Sequence, residues 1–415
     1  MAKTIFKLSF EIETALHIGT GNLTPEVGVA EIIQNGAGEY YIPGSTFAGL
    51  FFDRLRRLQG KGKVYSALMG IEENAVSKSN KKSQPQASHA SPLIFRSAVI
   101  TDARLMVRDH VKINRKLKAA ADGAKFAHWQ ISPHRGKEAL TIETICELDL
   151  HSYLADDLKP SKSTIKNTVS VDEMSSAIQA VFFSWQHEGL FIGAFASSGM
   201  GWAKLKTVCE NGEILEPVTI PSDVFKSWEV TLEIGDEAEG YGTNGLLIKA
   251  GDGQLSFHYQ DTYSDLDPML DAVFLHDEKQ LFIPGSSLKG AISFYIDKYH
   301  KDKGWLESIL GQDGANAGKL YFKDLFPDVY TSEHLVTIER HAEDEFTRAI
   351  LGKGKFDEER LFRTTFKGEI RAYESDPKIN DIEDMIAFIN NLLIRRVFTI
   401  GAQACCPKVT IRKLR

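Results

Sequence analysis

The sequence predicts an α+β fold in which one unit of strands and helices is used twice along the chain, and three observations carry this. First, Tyr41-Ile42-Pro43-Gly44-Ser45-Thr46 recurs 241 residues later as Phe282-Ile283-Pro284-Gly285-Ser286-Ser287. Each copy lies between a strand-like apolar run and a helix-like run, Phe47 to Leu58 and Leu288 to Tyr299. Second, the alternating segment Lys7 to Ile12 restarts at Trp228 to Ile234. Third, Leu93-Ile94-Phe95-Arg96 returns as Leu320-Tyr321-Phe322-Lys323. The charged segments that follow match to within a residue, His110 with His341 and Phe126 with Phe356. A chain of 415 residues has room for two domains of roughly 200 residues.

Residues 4 to 12 alternate apolar and polar, as a half-buried strand does. A glycine-containing loop, Leu16 to Gly21, leads to Val29-Ala30-Glu31-Ile32-Ile33, a polar turn and the Ile-Pro-Gly phrase, together a β-hairpin feeding a helix. Pro-Gly stops the strand, and the Ser or Thr after it is expected to cap the helix by accepting from its free N–H groups. A helix start can also hold a phosphate. Read without a gap, the same spacing sets Asp271 of the second copy against Ala30 of the first. Ser77 to Pro92 holds hardly any apolar residue and is expected to be a mobile insertion. Val107 to Arg115 alternates again and reads as a β-ribbon with its polar residues on one side. A strand-like Leu140 to Leu150 and a helix near Val171 to Gln186 follow. Then comes a Ser-rich loop whose Gly199-x-Gly201 either brings backbone N–H groups to a phosphate or makes a tight turn. The hydrophilic stretch after it reads as a linker, giving domains at 1–208 and 227–415 joined by 209–226. The second copy keeps Gly401 but has Cys405-Cys406-Pro407 where the Gly-x-Gly would come, which weakens the same grip there.

No run of eighteen apolar residues is present, and the chain enters a strand directly, so a cytoplasmic protein without a membrane span is expected. The four cysteines, Cys146, Cys209, Cys405 and Cys406, show no zinc spacing. Net charge is −7, which argues against a uniformly basic nucleic-acid binder, yet basic residues cluster. Arg54, Arg56 and Arg57 sit together, and Arg104, Arg108, Lys112, Arg115, Lys116 and Lys118 line the ribbon beside Asp109. Neutralising phosphate needs local charge, so these stripes are candidates for RNA contact, against the plainer reading of a solvated face. His17, in the first loop, is a candidate acid or base, or a structural histidine.

Taken together, the strand, Gly loop, hairpin, Ile-Pro-Gly-Ser helix, Leu-Ile-Phe-Arg strand, Arg-Asp-x-Val-x-Ile-x-Arg ribbon and terminal Gly-rich loop resemble the RAMP superfamily of CRISPR proteins. The backbone subunits of type III effector complexes are the nearest likeness, fused here in tandem. The resemblance implies two modified ferredoxin-like, RRM-related domains, each with a protruding β-hairpin thumb. It implies a guide CRISPR RNA, a complementary target RNA and other subunits of a type III complex as partners. Guide contacts are then expected from Ser45, Arg54, Arg57, Arg108, His110, Lys112, Arg115, Gly199 and Gly201 in the first copy, and from Ser286, Lys289, Arg340 and His341 in the second.

The family's target-cleaving aspartate falls on Asp271 by position, and on Ala30 in the first copy. A carboxylate can hold Mg²⁺ or another divalent cation, or position a 2′-hydroxyl for attack on its own phosphate; alanine can do neither. The second copy is therefore expected to cut as a metal-dependent endoribonuclease, and the first to bind only, whether Ala30 is an introduced change or a natural loss. Two other readings compete: a non-catalytic guide scaffold, and an endoribonuclease that processes the guide precursor.

Overall fold

Alternation decides the first strand. In β1 (Lys3–Ile12), Phe6, Leu8, Phe10 and Ile12 are buried, while Ile5 and Lys7 point the other way. The computed structural model describes residues 3–23, 29–70, 90–114, 119–135, 138–150, 169–216, 223–249, 272, 274–277, 280–300, 304–311, 318–329, 331–343, 350–395, 397–402 and 404–414. The stretch expected to be a mobile insertion lies almost wholly outside them.

After β1 the first unit runs β2 (Gly19–Leu23), β3 (Val29–Ile32), α1 (Gly44–Gln59), β4 (Leu93–Phe95), β5 (Leu105–Asn114), β6 (Ala119–Ile131), β7 (Thr141–Asp149), α2 (Val171–Glu188) and β8 (Trp202–Glu210). The second runs β9 (Phe225–Ile234), α3 (Gly285–Tyr299), β10 (Leu320–Phe322), β11 (Leu335–Glu343), β12 (Ile350–Leu361), β13 (Thr364–Tyr373), α4 (Ile379–Ile394) and β14 (Lys408–Lys413).

The main sheet of the first unit has the order β8-β1-β7-β4, that of the second β14-β9-β13-β10, every pair antiparallel. This is the ferredoxin-like order, present twice. One face of each sheet carries the core. Phe6, Phe10, Phe47, Phe51, Phe182 and Trp185 knit β1 to α1 and α2. Val230, Leu232, Ile292, Ile296, Phe322, Ile370 and Ile386 do the same for the second sheet and α3 and α4. The α2 helix is fixed by a capping box in which Ser170 accepts from Glu173 N and the Glu173 carboxylate accepts from Ser170 N.

The ribbons form as antiparallel pairs, β5 with β6 from Leu105↔Ile131 to Asn114↔Ala119, and β11 with β12 from Leu335↔Leu361 to Glu343↔Ile350. In the first unit β2 and β3 extend the ribbon to a four-stranded sheet, because β3 runs parallel to β6. The connection between units is shorter than 209–226: β8 continues through Glu210 and β9 opens at Phe225.

The joint itself is packed. Phe191 stacks on Tyr321 at 4.4 Å, Phe225 on Tyr373 at 4.5 Å, and the Arg371 guanidinium lies 4.6 Å over Trp202. The buried Glu188 carboxylate accepts from Val224 N and Phe225 N, both at 3.0 Å, which pins the start of the second unit to the end of α2.

Candidate nucleic-acid interface

Arg54 and Arg57 do not face solvent as a basic helix stripe would. Arg54 is buried, donates to Ser184 Oγ at 2.6 Å and Gly189 O at 2.7 Å, and pairs with Glu188 at 3.3 Å. Arg57 donates to Asp53 at 2.8 Å, and its guanidinium lies 3.2 Å over the Tyr373 ring. Arg54 is thereby enclosed against α2, whereas Arg57, held by Asp53 and the Tyr373 ring, keeps part of its side chain exposed. Protein acceptors meet both terminal nitrogens of Arg54.

The helix starts also differ from the expected cap. Pro43 and Pro284 occupy the N-cap positions and no side chain caps from within the phrase. The missing acceptor comes from across the fold: Gly44 N donates to Ser97 Oγ at 3.2 Å, and Gly285 N to Asp324 Oδ1 at 2.7 Å. Ser45 is therefore left exposed and Ser286 half-buried, their hydroxyls not used as caps. Gly44 and Gly285 are required because a Cβ at either would stand 2.1 Å from a carbonyl oxygen, of Phe95 and Phe322 respectively.

Gly199 and Gly201 serve as close-packing and turn residues. The Gly199, Met200 and Gly201 N–H groups donate to Ala196 O, Phe195 O and Ala15 O, so these donors stay within the first unit. Gly199 has φ +102°, and a Cβ on it would come within 2.1 Å of Asp324 Oδ1. The loop is thereby pressed onto the start of α3, where Lys289 Nζ reaches Ser197 Oγ at 3.5 Å.

This docking builds a cleft of about 690 Å³ walled by both units. Arg108, His110 and Val111 of β5 form one wall, and Ser286, Ser287 and Lys289 of α3 face them with the Thr399–Ala402 turn. Alternation along β5 puts Met106, Arg108 and His110 on one side, the first two buried. Arg108 is 2% exposed, with Asp324 Oδ2 at 3.6 Å, and neither of its terminal nitrogens has a hydrogen-bond partner among the described residues. Arg108, Lys289 and the start of α3 bring positive charge to this cleft, and Asp109 brings one carboxylate to the same lining. The structure thus brings together Arg108, His110, Ser286 and Lys289. Ser45 stands apart on the other helix. Arg115 lies outside the described residues, as do the side chains of Lys112, Arg340 and His341, whose backbones run in β5 and β11.

His110 belongs to a column of rings. Phe126 stacks on it at 4.9 Å with 10° between planes, and His110 stacks on His128 at 4.8 Å. His128 lies 4.6 Å from Phe195, and His17 meets it edge-on at 5.0 Å. Burial, helped by the Arg108 charge, lowers the His110 pKa to about 3. Burial, with His110, Arg108 and His17 nearby, lowers that of His128 to about 2. His17 is also buried and lowered by burial, and its Nδ1 lies 2.6 Å from Trp129 O, so it is a packed structural histidine.

Asp271 lies outside the described residues, but its neighbours fix the register. Ile33 N donates to Ile18 O, and Leu275 N to Ile248 O; Ala30 pairs with His128, and Ala272 with Glu358. In these strands the copies are 242 residues apart, whereas the Ile-Pro-Gly phrases are 241 apart, so the second hairpin turn is one residue shorter. The gap-free spacing is corrected accordingly: the backbone counterpart of Ala30 is Ala272, and an offset of 242 in sequence sets Val29 against Asp271. Neither Val29 nor Ala30 has a carboxylate, so neither register sets an acid of the first unit against Asp271. Among the described residues no three acidic, histidine or cysteine side chains converge on a metal position.

No described helix is long and apolar enough to cross a membrane. No curated protein matches the chain. Among solved structures, one of the type III-B Cmr-beta bound to cognate target RNA contains a chain similar to this one, with 14% identity and a TM-score of 0.33. The likeness covers 50% of this chain and 61% of that chain, so this chain spans about three-fifths of that relative. The sequence pattern of the RAMP superfamily matches residues 9–204 and 268–404, one stretch in each of the two ferredoxin-like units. With both units matched, the chain belongs to the RAMP superfamily.

Proposed function

We propose that this protein is a two-unit backbone subunit of a type III CRISPR effector complex. Its cleft holds the sugar-phosphate backbone of a guide RNA, and its second unit cuts the paired target RNA through Asp271. The observation that carries the reading is the inter-unit cleft, where the buried Arg108 with its unused donors faces Lys289 and the start of α3. Phosphate contacts there are sequence-independent, which suits a subunit whose specificity is delegated to base pairing. The other subunits of the complex and the target RNA belong to the same proposal.

In the cutting step, the Asp271 carboxylate orients or accepts the proton of the 2′-hydroxyl; its oxygen bonds to the adjacent phosphorus as the P–O5′ bond breaks, leaving a 2′,3′-cyclic phosphate and a 5′-oxygen that takes a proton from water. The same carboxylate would hold a divalent cation such as Mg²⁺, which would stabilise the charge that develops on the phosphate. Dependence of the cut on a divalent cation is tested by chelation. The scaffold and the precursor-processing readings predict different products.

The experiment is cleavage mapping of a labelled complementary RNA by the reconstituted guide complex with Mg²⁺, comparing the chain with Asp271→Ala, Ala30→Asp and Val29→Asp. Loss of one cut in the first, and a gained cut in one of the other two, is expected. Unchanged cuts with normal assembly would make the chain a scaffold, and cleavage of precursor instead of target would make it a processing enzyme. RNA binding indifferent to salt would sink the phosphate cleft, since released counterions make such binding salt-dependent.

A further inference from the structure

We infer that Phe126 is a stacking platform for one unpaired nucleobase of the RNA whose phosphates occupy the neighbouring cleft; this rests on the RNA-binding reading above. Phe126 is 50% exposed, an uncommon position for a phenylalanine. Its ring is not loose, because it lies nearly parallel to His110, its cross-strand partner in the β5–β6 register, at 4.9 Å. Beneath His110 come His128 and Phe195, themselves nearly parallel at 17°, and His17 closes the inner end. The column thus runs from the interior to a half-exposed ring.

Three features suit a base and not a generic apolar partner. The outer ring continues a flat parallel stack, and aromatic faces of that kind accept any base because every base has a π-face. The ring is already held by its packed face, so little side-chain freedom is lost when a second ring lands. The column is also joined to the anion site through one residue, since His110 both lines the cleft and lies under Phe126. A nucleotide with its phosphate beside Arg108 has its base within the same wall of β5 and β6. Splayed-out bases stacked on aromatic side chains are how single-stranded RNA is commonly read.

The test uses the full chain and a single-stranded RNA carrying 2-aminopurine at successive positions, with Phe126→Ala, Phe126→Leu, Phe126→Trp and Lys289→Ala. Wild type and Phe126→Trp are expected to quench 2-aminopurine at one recurring position. Phe126→Ala and Phe126→Leu lose that quench and bind on the order of tenfold more weakly. The salt slope stays the same in all three Phe126 variants and falls by about one in Lys289→Ala. Phe126→Leu keeps an apolar side chain, so its loss of quench cannot be a packing effect. Thermal melts of the half-exposed Phe126 variants should match wild type. Binding and quench unchanged in Phe126→Ala, with Lys289→Ala impaired, would overturn the platform and leave the cleft standing. Failure of the wild-type chain to bind RNA at all would overturn both.

Discussion

Asp324 carries two burdens that can be separated by substitution. Its Oδ1 accepts from Gly285 N at 2.7 Å, serving as the cap of α3, and its Oδ2 lies 3.6 Å from Arg108 Nη1, with both side chains almost fully buried. Asp324→Ala removes both. Loss of a cap costs about 1 kcal/mol, and stranding a buried cation costs roughly 3–5 kcal/mol, so about 4 to 6 kcal/mol is expected if Arg108 cannot swing out. Asp324→Ser copies the first unit, where Ser97 Oγ accepts from Gly44 N at 3.2 Å. It should keep the cap and lose only the ion pair. Adding Arg108→Met to Asp324→Ala should recover most of the larger figure. Urea unfolding followed by tryptophan fluorescence reads all three variants, since Trp202 lies in the joint against Arg371. A single-variant loss under about 1 kcal/mol, or an Arg108→Met that does not rescue, would refute the claim that Asp324 neutralises Arg108.

Arg54→Met should destabilise the chain by about 3 to 5 kcal/mol by leaving Glu188 short of its buried partner. It should leave the salt slope of RNA binding unchanged, which filter binding across a salt series would check. The histidine column makes stability fall with acid. His110 and His128 hold pKa values of about 3 and about 2 in the fold against 6.5 in the unfolded chain, so below pH 6.5 the unfolded state binds protons that the native state refuses. Stability from these two groups is fully present above pH 6.5 and is lost at up to about 1.4 kcal/mol per pH unit for each as pH falls towards 3. Denaturation midpoints between pH 7 and pH 5 should show this drop, and a His110→Gln, His128→Gln double variant should flatten it.

The repeat was legible because periodicity and turn chemistry are local. Alternation in β1 and β9, the Pro-Gly break and the apolar spacing of the helix near Val171 to Gln186 all act within a few residues, and each formed where the sequence put it. The functions of single charged residues were less legible, because they depend on what lies opposite. Arg54 reads as a surface stripe until Glu188 and Ser184, more than 100 residues away in sequence, are brought to it. The caps failed for the same reason: Ser97 and Asp324 come from the neighbouring strand and supply what Ser45 and Ser286 were expected to supply. The hairpin turn that is one residue shorter was hidden because two apolar runs slide past each other by one without spoiling either pattern. One signal was available and missed: Asp324 and Ser97 follow matching Phe-Lys and Phe-Arg pairs, and a polar residue kept at the end of a buried strand usually answers a backbone donor.

The joint between the units changes the order of the reaction that makes the cleft. Two separate polypeptides would form such a groove only by colliding, at a rate and occupancy set by their concentrations. Here the wall carrying Arg108 and the wall carrying Lys289 are tethered by a short connection, so one meets the other at an effective concentration in the millimolar range. The pocket then exists whenever the chain is folded, however dilute the protein, and each chain that finishes folding contributes one complete groove without waiting for a second molecule.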